Sequence, residues 1–143
     1  EITRLRKCGN TTNHFSYNFT HQPDLAQTFV VTCAMLKIPL RFTGLHSLKI
    51  KETDRITALR TELRKLGYDI QEQDNSILFW DGERCQAEEK TAIDTYQDHR
   101  MAMAFAPCIL RQNSLCINNT EVVSKSYPHF WEDISNKCSI SSL

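Results

Sequence analysis

Glycine is scarce in this sequence of 143 residues, with only four copies, at positions 9, 44, 67 and 82. A phosphate-binding loop of the P-loop kind needs several glycines close together, because the backbone must approach the phosphates. The wide spacing of the four glycines argues against a nucleotide-triphosphate enzyme of that kind. The serine pattern G-x-S-x-G is also missing, so the nucleophile elbow of the serine hydrolases is not expected.

Net charge is also missing, since 17 Lys and Arg residues balance 17 Asp and Glu residues. Nucleic-acid-binding domains and proteins that bind anionic membranes usually carry an excess of positive charge. No apolar stretch reaches the length of a membrane span. We therefore expect no nucleic-acid partner and no membrane partner. With 41% hydrophobic residues, the chain is expected to form one soluble globular domain.

The six cysteines include no C-x-x-C pair, and the five histidines lack the spacing of metal ligands. Cys33 and Cys108 lie within apolar runs, which indicates buried, reduced thiols. Reduced thiols are typical of the cytoplasm, so we expect a cytoplasmic protein. The spacing of these residues therefore predicts no metal site.

A regular apolar pattern predicts an amphipathic helix over residues 53–66, with Thr53 or Asp54 as its N-terminal cap and Gly67 as its stop. The expected buried positions are Ile56, Leu59, Leu63 and Leu66.

The start of this helix carries Lys49, Lys51 and Arg55, although a helix N-terminus favours anions. One interpretation is a solvated turn in which nearby carboxylates balance the cations. The other is a binding site for an anion such as phosphate, which accepts hydrogen bonds from backbone N–H groups and cations together. The local sequence alone leaves both open.

The remaining pattern alternates between strands and helices. We expect short strands near residues 14–21, 39–45, 47–51 and 113–119, and one or two within 85–95. A hairpin over 68–83 should turn at Asp74–Asn75. Apolar helices are expected over 23–38, covered on most sides, and over 97–110, bent or ended by Pro107. A closing helix should occupy about 126–137.

An internal repeat links the two apolar helices. Asp24 precedes the first helix and Lys51 follows it by 27 positions, while Asp98 and Lys125 flank the second helix with the same interval of 27. Each copy runs from an acidic residue through a buried helix and a strand to a lysine and an amphipathic helix. If the copies are related by rotation, several helix starts that favour anions would lie on one rim.

Four motifs resemble those of the enolpyruvyl transferases, and they occur in the order of that family. They are "QPDLAQT", "LKIKETDRITALRTELRKLG", "TYQDHRMAMAFA" and "VVSKSYPHFW". The resemblance implies an α/β (α+β) fold, namely part of an inside-out α/β barrel lobe built from βαβαββ units. It further implies that residues 1–143 are a single-domain fragment of the C-terminal lobe, with two units at about 15–90 and 91–143. The N-terminal lobe of the same protein would be its partner, and this fragment alone is expected to be inactive.

The activity implied by the resemblance is transfer of the enolpyruvyl group from phosphoenolpyruvate to the 5-hydroxyl of shikimate 3-phosphate, with release of phosphate. This reaction belongs to the shikimate pathway of aromatic amino-acid biosynthesis and needs no cofactor. It requires a base at the hydroxyl, an acid/base at the enol methylene, and cations on the phosphate and the carboxylate.

The resemblance also assigns roles to particular residues. On the side of shikimate 3-phosphate, Asp24 resembles the group that accepts the 5-hydroxyl proton, and Lys51 resembles a ligand of this substrate. Ser47 occupies a position where many members have Asn, so it is a weaker candidate contact. Glu52 resembles the acid/base at the methylene carbon.

On the side of phosphoenolpyruvate, Arg55, Arg100 and Lys125 resemble the three cations that hold the anionic groups. A guanidinium suits this role because it can donate two parallel hydrogen bonds to one carboxylate or phosphate. His99 would lie beside these cations as a polar contact or an orienting group.

Three alternatives remain open on the sequence. The chain is a relative that acts on a UDP-sugar, a non-catalytic anion-binding or interaction module, or a folded fragment without ligand affinity. Asp24 and Glu52 distinguish an enolpyruvyl transferase from the anion-binding module, because carboxylates beside an anion bring no advantage to a simple phosphate binder.

Overall fold

The first half of the protein folds as a βαβαββ unit. The computed structural model describes residues 13–111 and 115–140. The elements of the first half are β1 (Phe15–Asn18), α1 (Ala26–Leu36), β2 (Leu40–Thr43), α2 (Arg55–Lys65), β3 (Gln71–Gln73) and β4 (Ile77–Trp80). Single 3-10 segments precede the two helices, at Pro23–Leu25 and at His46–Ile50.

The second half repeats the first four elements of this order. They are β5 (Ala92–Ile93), α3 (His99–Phe105), β6 (Cys116–Ile117) and α4 (Phe130–Ile140). Here 3-10 segments occupy Ala106–Leu110 and Thr120–Val123. The second of these lies between β6 and α4, as the segment at His46–Ile50 lies between β2 and α2. The division of the chain into two units at 15–90 and 91–143 stays a prediction.

The sheet of the first half is mixed and has the strand order β1-β2-β4-β3. Strands β1 and β2 are parallel, and β4 is antiparallel to both of its neighbours. The expected hairpin is confirmed, because β3 and β4 join at Asp74 and Asn75, which both have positive φ. In the second half, β5 and β6 form a parallel pair.

The core lies between the four-stranded sheet and the helices. Phe42 of β2 is fully buried and contacts Phe19 edge-on, with ring centroids 5.0 Å apart. Helix α1 packs against both α2 and α3. The predicted apolar face of α2 is confirmed, since its four positions are all buried: Ile56, Leu59, Leu63 and Leu66.

Residues 47–51 do not form the expected strand, because residues 47–50 belong to the 3-10 segment at His46–Ile50 and Lys51 directly follows it. Strand β2 already has β1 on one edge and β4 on the other, so no edge of it is free for this segment. Leu48 alone anchors the segment in the core, while Ile50 is 83% exposed.

Helix α1 was expected to be covered on most sides, and this expectation is wrong. Leu25, Phe29 and Leu36 are exposed large apolar side chains on or beside the helix. They recur at intervals of four and seven residues, so they lie along one stripe of the helical surface. Among the described residues, the buried side chains of α1 lie on its other side, and Phe29 is covered in part by the rings of Phe15 and Phe19. The expected effect of Pro107 is confirmed, because α3 ends at Phe105 and gives way to a 3-10 segment.

The thiols are of two kinds. Cys33 and Cys108 are buried and unpaired, as expected, and burial raises the pKa of Cys33 to about 11 and that of Cys108 to about 12. Cys116 is exposed and Cys85 is half-buried, so burial does not extend to every thiol. Cys8 and the side chain of Cys138 lie outside the described residues. Across the described chain, no helix has both the length and the apolar character that a membrane crossing requires.

Candidate active site

Helix α2 begins with a side-chain cap that the sequence anticipates. The carboxylate of Asp54 accepts a hydrogen bond from the backbone N–H of Thr57 at 3.0 Å and from its hydroxyl at 2.8 Å. This cap satisfies one of the free N–H groups of the first turn and fixes the direction in which the helix starts. Arg55, the first helical residue, is thereby directed into the interior.

Arg55 is the centre of the site, and it is only 1% exposed. Its guanidinium binds Asp98 through two hydrogen bonds, Nε to Oδ2 at 2.6 Å and Nη2 to Oδ1 at 3.2 Å. It also donates to Asp24 at 2.8 Å and to Glu52 at 2.8 Å. Three carboxylates from separate parts of the chain therefore meet on one buried cation. The solvated interpretation of the helix start is wrong for Arg55.

Asp24 connects this buried cation with the surface. It lies in the 3-10 segment before α1, and no capping hydrogen bond from its side chain stabilises either helix. Instead, its carboxylate pairs with Lys51 at 3.6 Å, with Arg55 at 2.8 Å and with Arg100 at 3.5 Å. The side chain of Asp24 remains 38% exposed, so a ligand can reach it.

The sequence did not predict that Asp98 pairs with Arg55. Asp98 is the N-cap of α3, where its carboxylate accepts from the backbone N–H of Arg100 at 2.9 Å, and it is fully buried. The same carboxylate holds Arg55 in a two-bond pair across 43 positions of sequence. The available signal was its place directly before His99 and Arg100, but a cap pattern does not disclose a distant partner.

The cations of the helix start have different partners. Lys49 pairs with Glu72 at 2.6 Å and with Asp54 at 3.3 Å, and the hydrogen bond that it donates to Glu72 contributes most to raising its pKa. Lys49 thus connects α2 to the hairpin and has no place in the cluster around Arg55. Lys51 and Arg100, by contrast, are partly exposed beside Asp24.

The remaining candidates lie around this cluster. His99 is the half-buried first residue of α3, and Ser47 is half-buried within the 3-10 segment before Lys51. Lys125 is exposed and follows the 3-10 segment at Thr120–Val123, which packs against α3. Among the described residues, no hydrogen bond or ion pair joins Lys125 to the other candidates.

A second polar cluster connects the middle of α2 with the strand that leads to Asp98. Glu62 is fully buried and accepts from the hydroxyl of Tyr96 at 2.7 Å and from the backbone N–H of Asp94 at 3.1 Å. Lys65 pairs with Glu62 at 2.8 Å and with Asp94 at 2.9 Å. Burial and the bond to Glu62 raise the pKa of Tyr96 to about 12, so its hydroxyl remains a donor at neutral pH. Neither Glu62 nor Tyr96 is among the site residues predicted from the sequence.

The site can bind anions and exchange protons. Asp24 and Glu52 are carboxylates with exposed fractions of 38% and 55%, and both contact the same guanidinium. A carboxylate held beside cations can accept a proton from a bound hydroxyl, while the cations stabilise the negative charge of the reacting groups. Within residues 13–111 and 115–140, no group of His, Cys, Asp and Glu side chains is arranged to hold a metal ion.

Comparison with known proteins identifies the family. The sequence model of the family described as EPSP synthase (3-phosphoshikimate 1-carboxyvinyltransferase) matches residues 2–134. The chain belongs to the EPSP synthase family. The expected α/β fold class, with its βαβαββ order in the first half, agrees with the fold of EPSP synthase.

Individual relatives carry the same description. A 3-phosphoshikimate 1-carboxyvinyltransferase from Bacteroides fragilis is 56% identical over 131 residues, which are 92% of this chain and 32% of the relative. One from Clostridium acetobutylicum is 38% identical and matches 78% of this chain and 26% of the relative. The solved EPSP synthase of Acinetobacter baumannii superposes with a TM-score of 0.67 at 26% identity, over 81% of this chain and 27% of that structure. The chain thus spans about a third or less of the length of the EPSP synthases that it matches.

Proposed function

We propose that this chain is the C-terminal part of an enzyme that transfers the enolpyruvyl group of phosphoenolpyruvate to the 5-hydroxyl of shikimate 3-phosphate. The observation that carries the proposal is the convergence of Asp24, Glu52, Arg55 and Arg100 from three separate parts of the chain onto one cluster. Membership of the EPSP synthase family supports the choice of substrates. The enzyme would act in the cytoplasm, within the shikimate pathway.

In this proposal the carboxylates carry the proton transfers. Asp24 accepts the proton of the 5-hydroxyl while the oxygen attacks C2 of phosphoenolpyruvate, and Glu52, which must be protonated when the substrates are bound, delivers its proton to the methylene carbon. The C2–O bond to phosphate then breaks in the tetrahedral intermediate, and the leaving phosphate takes up the proton held by Asp24. Glu52 takes a proton back from the methyl group as the enol double bond reforms, so both carboxyl groups return to their starting states. Partial exposure of both carboxylates supports these roles, since a proton donor or acceptor must reach the substrate.

The cations bind the anionic groups of the substrates. Arg100 and Lys125 are partly or fully exposed and would hold phosphoenolpyruvate directly, while Lys51 would hold shikimate 3-phosphate. Ser47 and His99 would add polar contacts at the rim. Arg55 is enclosed by Asp98, Asp24 and Glu52, so contact with phosphoenolpyruvate requires it to exchange one of these carboxylates for the ligand.

The rest of the protein would complete the site. The matched EPSP synthases are about three times as long as this chain, and Ile50, directly before Lys51, is 83% exposed. A single exposed apolar side chain is common at a protein surface, so the greater length of the relatives supports this step more than Ile50 does. We propose that the N-terminal lobe completes the site and supplies further substrate contacts.

A chimera tests the proposal directly. This chain would replace the matching third of the Bacteroides fragilis relative, and phosphate release would be measured with shikimate 3-phosphate and phosphoenolpyruvate. We expect turnover by the chimera and none by the 143-residue chain alone, because both lobes are needed to bind the substrates and to close around them.

Two variants of the chimera make the result specific. Arg100→Ala should raise the KM for phosphoenolpyruvate by about 10- to 100-fold, the usual effect of losing a charge-assisted hydrogen bond. Arg64→Ala is the control, since Arg64 is an exposed cation of α2 that pairs with Asp69 away from the cluster. A folded chimera without turnover would instead favour the anion-binding module.

A further inference from the structure

The turn that leads into Asp98 has an unfavourable backbone. The backbone N–H of Asp98 donates to the carbonyl of Thr95 at 2.8 Å and closes a tight turn. Its two central residues, Tyr96 and Gln97, have φ angles of 53° and 55°, in the left-handed region that favours glycine. Such a backbone persists only when surrounding contacts hold it in place, and it is concentrated at functional sites.

Helix α2 supplies these contacts at two points. At the N-terminus of α2, Arg55 donates a hydrogen bond to Asp98 at the end of the turn. Seven residues further on, Glu62 accepts from the hydroxyl of Tyr96 at 2.7 Å within the turn and from the N–H of Asp94 before it at 3.1 Å. Residues seven apart lie on nearly the same face of a helix, so one face of α2 holds both ends of the segment 94–98.

Lys65 reinforces the second point. Its ammonium pairs with Glu62 at 2.8 Å and donates to the carbonyl of Ala92 in β5 at 3.1 Å. The amide of Asn118, after β6, donates to Asp94 at 2.8 Å. The buried carboxylate of Glu62 therefore lies between a helix of the first half and the parallel strand pair of the second half.

We infer that Glu62 and Tyr96 are positioning residues for the phosphoenolpyruvate side of the site. Their hydrogen bond holds the left-handed turn so that Asp98 meets Arg55 and the first turn of α3 brings Arg100 to Asp24. In this role both residues act through Asp98 and Arg100 and not by contact with a substrate. The inference rests on the proposed function for its effect on turnover, whereas the positioning itself can be measured without turnover.

The first test uses the chimera. Tyr96→Phe removes one hydroxyl and should raise the KM for phosphoenolpyruvate by about 10- to 100-fold, since displacement of a binding group by about 1 Å has such effects. The KM for shikimate 3-phosphate should change less. Glu62→Gln should act in the same direction, although Glu62 also binds Asp94 and Lys65. The double variant should be no worse than Glu62→Gln alone, because both substitutions act on the bond between Glu62 and Tyr96.

Tyr127→Phe is the matched control. The hydroxyl of Tyr127 donates to Asp133 at 2.6 Å, so this variant also removes a bond between a tyrosine and a carboxylate, but on the exposed side of α4. Its KM values should match those of the unsubstituted chimera. If Tyr96 and Glu62 had a purely structural role, Tyr96→Phe, Glu62→Gln and the double variant would be less stable, but the KM values for the two substrates would change equally.

The second test follows Arg55 itself in the 143-residue chain by nitrogen-15 NMR. The Nε–H of Arg55 is buried against Asp98 and should exchange slowly with solvent, and Tyr96→Phe should speed this exchange by about tenfold or more. Faster exchange in a protein whose chimera shows no turnover would support the positioning role while contradicting the proposed function. Unchanged exchange together with unchanged KM values in an active chimera would overturn the inference.

Discussion

Arg55 shows at the level of a single residue why a charge pattern permits two opposite interpretations. Three cations at the start of α2 looked alike in the sequence, but the structure separates them. Lys49 pairs with Glu72 of the hairpin, and Lys51 lies beside Asp24. Arg55 is buried against three carboxylates. The sequence identifies which residues are charged, whereas the partner of each depends on contacts between distant segments.

Arg55→Ala is expected to destabilise the fold, which differs from what the motif alone suggests for a substrate ligand. The substitution leaves Asp98 buried without its cation, and breaking a buried ion pair costs about 3–5 kcal/mol. Arg100→Ala should cost less than about 1 kcal/mol, because Arg100 is partly exposed. Urea unfolding of the chain followed by circular dichroism would measure both. Equal stability of the two variants would contradict the structural part of this role for Arg55.

Asp24→Asn should separate chemistry from binding in the chimera. We expect the kcat to fall by about 100-fold or more, the typical contribution of a general base. Binding of phosphoenolpyruvate should not weaken, since Asp24 now occupies Arg55 and Arg100 and its removal frees them.

Steady-state kinetics and a titration with phosphoenolpyruvate would measure these two effects. Asp69→Asn removes a carboxylate of the exposed pair with Arg64 and serves as the control. A normal kcat in Asp24→Asn would exclude Asp24 from the mechanism.

Among the elements, those with strong periodicity were predictable and those set by neighbours were not. The apolar pattern of α2 and the Asp74–Asn75 hairpin follow from local rules, and both are confirmed. Residues 47–51 carry an alternating pattern that suits a strand, but both edges of β2 are taken, and this depends on the whole sheet. The prediction that α1 is covered on most sides failed for a related reason. The number of elements that pack against an apolar helix depends on the rest of the fold and not on the helix itself.

The cap of α2 leads to a prediction about stability and pH. Asp54→Ala should cost about 1 kcal/mol, whereas Asp54→Asn should retain most of the cap, since Asn is also a good N-cap residue. Partial burial opposes ionisation of Asp54, but the hydrogen bonds from Thr57 and the pair with Lys49 lower its pKa below the usual value.

A lowered pKa fixes the sign of the pH dependence. The ionised cap stabilises the folded state fully above about pH 4, the ordinary value for Asp, and this contribution is lost as the pH falls through the lower pKa of the folded state. The stability difference between the unsubstituted chain and Asp54→Asn should therefore shrink on acidification. Thermal unfolding at several pH values would show it, and a difference that grows towards acid would contradict the assignment.

For the molecule as a whole, the family and the order of elements could be predicted from the sequence, apart from the strand expected at 47–51. The pairing of the charged groups within the site could not. The four motifs identify which residues belong together, and the βαβαββ order accounts for how Asp24, Arg55 and Arg100 meet. The sequence did not disclose that they neutralise one another within this chain, because that follows from side-chain packing across three elements.

Thiol labelling can test whether both halves are folded in the isolated chain. Cys33 lies in α1 of the first half and Cys108 lies after α3 in the second, and both thiols are buried with raised pKa values. Because the thiolate is the reactive form, both should resist iodoacetamide at pH 7.5, whereas Cys116 should react quickly. Peptide mapping by mass spectrometry would give each rate. Rapid labelling of Cys108 alone would indicate that the second half is open.

The two contacts that α2 makes with the segment 94–98 limit how this stretch of sequence can change. Arg55 and Glu62 are separated by about 10 Å along the helix axis, and each must remain opposite its partner. An insertion or deletion of one residue between them would rotate one contact away by about 100°. Residues 56–61 can therefore vary in identity wherever the core permits, but their number is fixed by the distance between Asp98 and Tyr96.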